Sequence, residues 1–530
     1  MALLLPRRAP GGAARAALFG TGDFNPHFFI WPGTLLIELA FLAYVGLFAV
    51  GRLAGWWTGA QGFAAAYFRD PTAFYILPRL QSVAFGVWAV GLAHAIGRRG
   101  YSTTVGLAAA LGLAVNAVHA HYSHFAHPVT AMTAFTLLGL WAALRVAQGG
   151  GPRDLYVGAV AVGLGVATQF HAALLAVPLA IAVAWRVVES PGERGRWLCA
   201  AARAAALAIG LYLLISPFTV LDFRTFWGDL RWIGRKTEGS LAGGAPVSAT
   251  GVVGFVTRCL VPGLGLPVAL LAAFGTVWAL ARRTRADWLL LGFAAAYLLL
   301  AGRAASINDR YAIPLVAPAL LLAARAVEES LARLRLAPRA IAAAVPAAVL
   351  LASAPVAFEL IETDYTMMRA DTRVEALDWF ESHVPENERV VIDMAKFWNS
   401  HSAPLAENAE RLRERLVQAQ GGLSGAGHSS AYAEYYRYRL EHPHHPAYYL
   451  RSTNMGGAAR PLAEYRREGF RWAVVSEEAV AAQERRAAAG DSSGAAYYRA
   501  LAREAAPVAE FTPEPWKRRG PRILVYRIAP

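Results

Sequence analysis

An acid and a histidine occur together in the stretch GTGDFNPHFFIWPG, residues 20–33, directly before the first long apolar run of the chain. A carboxylate such as Asp23 can act as a general base or bind a cation, and His27 can hold a phosphate group. A structural role is also open, in which Asp23 caps a short helix and the aromatic side chains anchor the loop in a membrane interface. Glu38 follows inside the apolar run, where it either reaches the surface or faces a wet cavity.

Histidines cluster in a second stretch, HAHYSHFAHP, residues 119–128, which contains His124 and His127. Histidine suits metal binding, but no carboxylate or cysteine lies nearby in the sequence, so hydrogen bonding at an interface is favoured and no metal site is predicted. A third stretch, ATQFHAALL, sets Gln169 and His171 between two short apolar runs. These two residues either join neighbouring helices or contact a substrate.

Two further stretches carry cationic groups that suit an anionic ligand. SPFTVLDF, residues 216–223, leads into a basic loop that either binds a lipid phosphate or is an ordinary solvated run of charge. In NDRYAIPLVAP, residues 308–318, Arg310 stands at the mouth of an apolar run with Tyr311 beside it. A guanidinium there can bind a phosphate through two hydrogen bonds, and Arg79 is a second candidate for the same phosphate.

Composition separates the chain into two parts. Of its 530 residues, 56% are apolar and 17% charged, with a mean hydropathy of +0.34. Charge is scarce up to Val356 and abundant afterwards, as in a membrane part followed by a water-soluble part. The net charge of +14 does not indicate nucleic-acid binding, because arginines recur singly or in small groups between apolar runs instead of forming one basic face.

The apolar runs predict a mostly α, polytopic bundle of about 11–12 membrane-spanning helices. Alanine, glycine and valine dominate these runs, which allows close helix packing. The runs lie near 34–51, 79–97, 103–119, 129–147, 155–169, 172–186, 198–216, 260–281, 287–302, 311–326 and 339–358.

Arginine marks one set of connections between the runs, including Arg98 and Arg99, and by the positive-inside rule these face the cytoplasm. The other connections, 121–128, 217–259 and 306–310, and everything after 358, then lie outside. When the spans are counted back from these connections to the N-terminus, the opening loop would lie on the cytoplasmic side unless one further crossing is hidden within 52–78.

Residues 359–530 are predicted to form an extracytoplasmic α/β domain, with 1–33 an external juxtamembrane segment and 34–358 the bundle. Strand-like runs recur at 389–395, 471–477 and 522–528, and Ala/Glu/Arg-rich helical stretches at 372–383 and 480–505. Segment 401–460 is polar and rich in Gly, His and Tyr, and is interpreted as mostly loop. The sequence contains no Gly-rich phosphate loop, zinc-protease helix or Ser-His-Asp order, and no cofactor is predicted.

In order and spacing, these stretches resemble GT-C-type glycosyltransferases, the broad group of glycosyltransferase family 39 and bacterial lipid-carrier-dependent transferases. The resemblance also includes DPTAFYILPRLQSVAFG at 70–86, GLGVATQFHAALLAVPL at 163–179 and GPRILVYRI at 520–528. The resemblance implies transfer of a sugar from a polyprenyl-phosphate carrier to a lipid, glycan or protein acceptor. The reaction would take place on the outer face of the cell (inner) membrane. An acid in the first external loop would act as base, and basic residues would hold the lipid phosphate. No nucleic-acid partner is implied.

Asp23 is then the substitute base, and the substrate-binding candidates are His27, Glu38, Arg79, His124, His127, Gln169, Arg310 and Tyr311.

The chain departs from the family pattern at three points. The family has a span and an acid before this loop, where the sequence here reads PRRAPGG; a second acid, after SHFA, is replaced by His127; and Gln169 stands where relatives often carry Lys. Either the chain is truncated at its start or this member has lost or relocated its chemistry. Two alternatives to a working transferase follow: a degenerate paralogue that binds carrier lipid or partner proteins, and a transporter or flippase.

Overall fold

The structure is a computed structural model that describes residues 25, 29, 33–237, 251–304, 308–393, 402–420, 429–453, 459–488 and 493–528. By backbone contacts the chain divides into two units, Pro10–Leu360 and a second that contains Ile361–Pro530.

The described part of the first unit is helical, and the apolar runs of the sequence all lie in its helices. The helices are α1 (Thr34–Leu53), α2 (Ala60–Arg69), α3 (Thr72–Gly100), α4 (Thr103–Ala114), α5 (Ala117–Ser123), α6 (Pro128–Ala147), α7 (Pro152–Thr168), α8 (Ala176–Glu189), α9 (Arg194–Ile215), α10 (Phe223–Thr237), α11 (Gly251–Leu264), α12 (Leu266–Arg282), α13 (Arg285–Ala301), α14 (Ile313–Arg333) and α15 (Pro338–Met367). Short 3₁₀ turns, Phe170–Leu175 and Asp309–Ala312, precede α8 and α14.

Within the described residues, seven helices are long and apolar enough to cross a membrane, and nine if each of two bent pairs counts as one span. Helices α7 and α13 have 17 residues each, about 26 Å against a hydrocarbon core of about 30 Å. The count of 11–12 spans therefore stays a prediction. The sequence places the opening loop inside unless a crossing is hidden within 52–78. In that described range the structure has α2, with only 10 residues, and the start of α3, which gives no support for a further crossing there.

Burial identifies the centre of the bundle. The apolar windows of α6 and of Asp309–Arg333 are 83% and 78% buried, whereas those of α1 and of Pro191–Ile215 are 17% and 11% buried. Leucines such as Leu42, Leu53 and Leu214 stand exposed on the outer helices. Apolar outer faces around a packed centre are the pattern expected of a bundle in lipid.

Two broken helices meet inside the bundle. The α4–α5 pair bends by 63° and the α11–α12 pair by 117°, the latter at Gly265, whose φ of 76° favours glycine. At the first break, Asn116 caps α5 by accepting from the His119 N–H at 3.0 Å. Its amide also donates to the Gly263 carbonyl at 2.7 Å. The Asn116–Gly263 bond thus joins the two breaks. It also fixes the start of α5, from which the chain continues into the 121–128 connection.

The arginine-rich end contains a buried ion pair between Arg325 on α14 and Asp287 on α13. Asp287 also caps its own helix by accepting from Thr284 N–H at 2.8 Å, and Tyr101 donates to it at 2.8 Å. Arg325 continues to Glu329 at 2.9 Å. Because both charges are buried and each is paired with the other and with neighbouring polar groups, the network fixes α13 against α14.

The second unit is a small α/β domain, as predicted. Its elements are α16 (Thr372–His383), β1 (Arg389–Ile392), α17 (Ala409–Gln420), α18 (Ser429–Glu441), β2 (Tyr449–Ser452), α19 (Leu462–Arg467), β3 (Trp472–Ser476), α20 (Glu477–Ala488), α21 (Ser493–Glu504), β4 (Pro507–Phe511) and β5 (Ile523–Arg527). The sheet order is β2-β1-β3-β5-β4, with β1 parallel to β2 and β3, and β5 antiparallel to β3 and β4.

The interpretation of 401–460 as mostly loop is wrong, because α17, α18 and β2 lie there. Helix α17 packs beside α18 and β2, and salt bridges such as Arg415–Glu407 at 3.0 Å support this otherwise polar stretch. Strand β2 is only four residues long, too short for its pattern to be recognised without its partner β1.

Candidate active site

The opening loop is anchored by two acids of the 216–237 segment. Asn25 donates from its amide to Asp222 at 2.9 Å, and the Phe29 N–H donates to Asp229 at 2.7 Å. Asp229 is buried, so this second bond is shielded from water. The predicted base Asp23 and the predicted phosphate ligand His27 lie outside the described residues.

Aromatic rings link the opening loop to the Gln169 connection. The Phe29 ring meets Phe226 of α10 at 5.7 Å, and Phe226 meets Phe170 at 6.3 Å. Gln169, one residue earlier, ends α7 in an extended conformation and is half-buried. The structure therefore places Gln169 at the same end of the bundle as the anchored loop.

A second cluster forms where the histidine stretch meets the start of α14. Tyr122 donates to Asp309 at 2.8 Å and is 3.3 Å from the side-chain oxygen of Asn308. The Arg310 N–H also donates to Asp309, at 2.8 Å. The Arg310 guanidinium lies over the Tyr311 ring at 5.4 Å, a contact that restrains the side chain.

His127 belongs to the same cluster. Its ring meets Tyr122 at 5.4 Å, and its Nδ1 accepts from the Val129 N–H at 3.2 Å as the N-cap of α6. Burial first, and then the positive charge of Arg310, lowers the pKa of His127 to about 3. The ring is therefore neutral at physiological pH, and with Nδ1 accepting, its proton is carried on Nε2 and can be donated to an oxygen.

Both groups of residues lie at one end of the bundle. Tyr297 donates to the Tyr311 carbonyl at 3.0 Å, and its ring lies 6.4 Å from His171, two residues after Gln169. Gly33, at the start of α1, lies against Pro128. Of the predicted site residues, His127, Arg310 and Tyr311 form one cluster. Gln169 is connected to this cluster indirectly, because His171, two residues later, contacts Tyr297, and Tyr297 bonds to Tyr311.

The remaining predicted residues are placed less centrally. His124 is exposed at the C-cap of α5, one turn before His127. Arg79 is exposed on the second turn of α3, and within the described part of the chain no carboxylate pairs with it. Glu38 is half-buried on the second turn of α1. The structure does not bring Arg79 into the Arg310 cluster.

Polar atoms lie buried next to Gly86 of α3, where Ser123 approaches too closely for any larger residue. Among the described residues, the Ser82 hydroxyl and the His119 Nδ1 have no hydrogen-bond partner, although their residues are only 0% and 3% exposed. Unsatisfied buried polar atoms are uncommon and indicate a place for a polar group or a water.

Sequence reasoning missed Tyr122, Asp309, Asp222 and Asp229. Tyr122 and Asp309 lie inside quoted stretches, but their meeting joins positions 187 apart in the sequence. Within the described residues, no three His, Cys, Asp or Glu side chains are placed to hold a metal ion. The arrangement offers a guanidinium, a neutral imidazole and a carboxylate at one mouth, which can bind an anion and handle a proton.

The chain is a polytopic helical membrane protein with a small α/β domain near its C-terminus, and residues 72–220 match the family model for dolichyl-phosphate-mannose-protein mannosyltransferases. This match confirms the resemblance to GT-C-type glycosyltransferases that the sequence stretches predict. No curated protein sequence matches the chain.

The fold comparison finds solved glycosyltransferases of low sequence identity. ArnT from Cupriavidus metallidurans in the apo state is 13% identical, with a TM-score of 0.47 over 97% of this chain and 92% of that one. The oligosaccharyltransferase AglB from Archaeoglobus fulgidus is 13% identical, with a TM-score of 0.41 over 88% and 65%. The arabinofuranosyltransferase AftD from Mycobacteria is 15% identical, with a TM-score of 0.37 over 100% and 41%.

Proposed function

We propose that this protein transfers a sugar from a polyprenyl-phosphate carrier to an acceptor at the extracytoplasmic face of the cell membrane. The family match over 72–220 carries the proposal. It runs from α3 through the histidine stretch and Gln169 to the Ser216–Val220 turn, so it includes several of the connections that gather at the mouth of the bundle.

Arg310 binds the phosphate of the carrier in this proposal. A charge-assisted hydrogen bond to phosphate is stronger than a neutral one, and it strengthens further as the leaving phosphate gains charge. The Tyr311 ring orients the Arg310 guanidinium, and the Asp309 carboxylate holds the Arg310 backbone N–H. The Nε2–H of neutral His127 adds a donor for the phosphate or for a sugar hydroxyl.

The reaction needs no protein nucleophile, because the leaving group is already a phosphate. It needs a base for the acceptor hydroxyl and cationic stabilisation of the phosphate. Asp23 is the proposed base, and it precedes by two residues Asn25, whose amide donates to Asp222. The apolar outer faces of the bundle suit a prenyl chain.

A purified-protein assay tests the proposal. The full-length protein in lipid nanodiscs is given radiolabelled polyprenyl-phosphate mannose and a panel of lipid, glycan and peptide acceptors, and the labelled product and released polyprenyl phosphate are measured. Transfer above that of protein-free nanodiscs is expected. Asp23→Asn is expected to lower the rate by about 100-fold or more, the usual contribution of a general base.

Asp70→Asn is the matched control, since Asp70 is an exposed acid whose side chain accepts from the Thr72 N–H and Asn retains that capacity. A wild-type rate with Asp23→Asn removes Asp23 from the role of base. Donor binding without any turnover favours a second candidate function, in which the protein is a degenerate paralogue that binds the carrier. This candidate is motivated by His127, which stands where the family pattern has an acid.

A further inference from the structure

A cavity of about 400 Å³ opens at the end of the bundle opposite the candidate active site. It lies between the C-terminal ends of α3 and α6 and is lined by Ala95, Arg98, Arg99, Trp141, Arg145 and Gln148. Arg145 lies 18 residues along α6 from His127, a distance of roughly 27 Å at the helical rise. The cavity is therefore separate from the Arg310 cluster.

The cavity carries uncompensated positive charge. Arg145 pairs with Asp154 at 2.6 Å and lies over the Trp141 ring at 5.0 Å, which fixes its position. Within the described part of the chain, no carboxylate forms an ion pair with Arg98 or Arg99. The three guanidinium groups of the cavity and the Asp154 carboxylate together carry a net charge of two positive units. Guanidinium groups bind phosphate well because their N–H groups match its oxygens.

An exposed apolar face leads along α3 to this cavity. Leu80 and Val87 are 55% and 68% exposed, and Arg98 follows Leu80 by 18 residues, five full turns, on the same side of the helix. Trp141, at the cavity, is a side chain that favours membrane–water interfaces. An acyl chain on the Leu80–Val87 face would bring a phosphate headgroup to the level of Arg98.

We propose that the Arg98–Arg99–Arg145 cavity binds the phosphate headgroup of an anionic phospholipid, with the acyl chains along the exposed face of α3. The apolar face below the cavity favours a lipid over free phosphate, because inorganic phosphate has no apolar part that could pack against that face. This site is independent of the proposed transfer reaction.

Native mass spectrometry of the full-length protein tests the proposal, after purification from nanodiscs of phosphatidylcholine with or without one-fifth phosphatidylglycerol. The wild type is expected to retain phosphatidylglycerol in preference to phosphatidylcholine. The double variant Arg98→Gln/Arg99→Gln is expected to bind it about 30-fold more weakly, from the loss of two charges near an anionic lipid. Unfolding temperatures without added lipid verify that both variants are folded.

Arg335→Gln/Arg339→Gln is the matched control, because both arginines are exposed, Arg335 in the α14–α15 connection and Arg339 in the first turn of α15, and neither lines the cavity. It is expected to retain the lipid as the wild type does. Equal loss in both double variants, or no preference for phosphatidylglycerol, overturns the proposal. Inorganic phosphate at millimolar concentration is expected not to displace the lipid, and complete displacement overturns the assignment to a phospholipid.

Discussion

At the level of single residues, the Arg310 cluster shows what residue type can and cannot reveal. Arg310 and His127 stand out in the sequence because an arginine or histidine beside an apolar run is costly to keep there, and their roles in the site stay a prediction. Asp309 was not, because an acid next to an arginine is also ordinary at a helix start, where it accepts backbone N–H groups as it does here.

The bond from Phe29 to Asp229 gives the first prediction. Asp229→Ala removes the buried acceptor of the Phe29 N–H, which costs about 1–3 kcal/mol at that site. Hydrogen–deuterium exchange of the Phe29 amide is expected to become at least 10-fold faster. Thr225→Ala on the same helix is the control and should leave the exchange unchanged. Slow exchange in Asp229→Ala contradicts the proposed anchoring of the opening loop.

At the level of elements, most helices were predictable and their breaks were not. Runs rich in Ala, Val and Leu define the spans, but the bends at Asn116 and Gly265 depend on a bond between two distant helices. In the sequence, the bend at Gly265 is marked only by a glycine within an apolar run. Glycine is common in membrane helices and does not by itself indicate a bend.

The buried pair of Asp287 and Arg325 gives the second prediction. Asp287→Ala removes the buried partner of Arg325 and leaves the partly exposed Glu329 beside it, and a loss of about 3 kcal/mol in unfolding free energy is expected. Chemical denaturation in detergent measures this loss. Glu193→Ala removes an exposed partner of Arg196 and should cost less than about 1 kcal/mol.

Replacing both partners distinguishes a buried charge from simple packing. Asp287→Leu with Arg325→Leu is expected to recover most of the lost stability, because no charge then remains buried. A double variant as unstable as Asp287→Ala contradicts this account of the network.

At the level of the whole molecule, the change in composition near Val356 predicted a bundle and a following α/β domain. Strands β1, β3 and β5 were found from their apolar runs, whereas β4 was missed. Its burial is low, and its pairing with β5 shifts register between Pro507 and Ala509. An edge strand of this kind carries too little apolar pattern to be recognised in isolation.

Asp393 at the end of β1 gives a prediction about pH. It accepts from Thr453 and Tyr498 at 2.6 Å each and from the Ser476 N–H at 3.1 Å. Burial nevertheless raises its pKa to about 6 from a model-compound value of 3.8. The folded domain thus binds this proton more tightly than the unfolded chain, so the contribution of Asp393 to stability should rise by about 3 kcal/mol as the pH falls from about 6 to about 4.

Asp393→Asn is expected to remove this part of the pH dependence, measured as the unfolding temperature of the full-length protein between pH 4 and 8. Asp378→Asn, an exposed acid on α16, is the control and should retain the wild-type profile. An unchanged profile in Asp393→Asn contradicts the assignment.

The proposed transfer reaction requires that the bundle present the phosphate of a prenyl carrier to Arg310 at one mouth. Equilibrium binding of radiolabelled polyprenyl phosphate to the purified protein tests it most directly, with Arg310→Gln against Arg303→Gln, an exposed arginine of the same connection. The account predicts affinity lowered by about 10- to 100-fold in Arg310→Gln, the value of a charged hydrogen bond to phosphate, and wild-type affinity in Arg303→Gln. Equal affinity in all three proteins would contradict it.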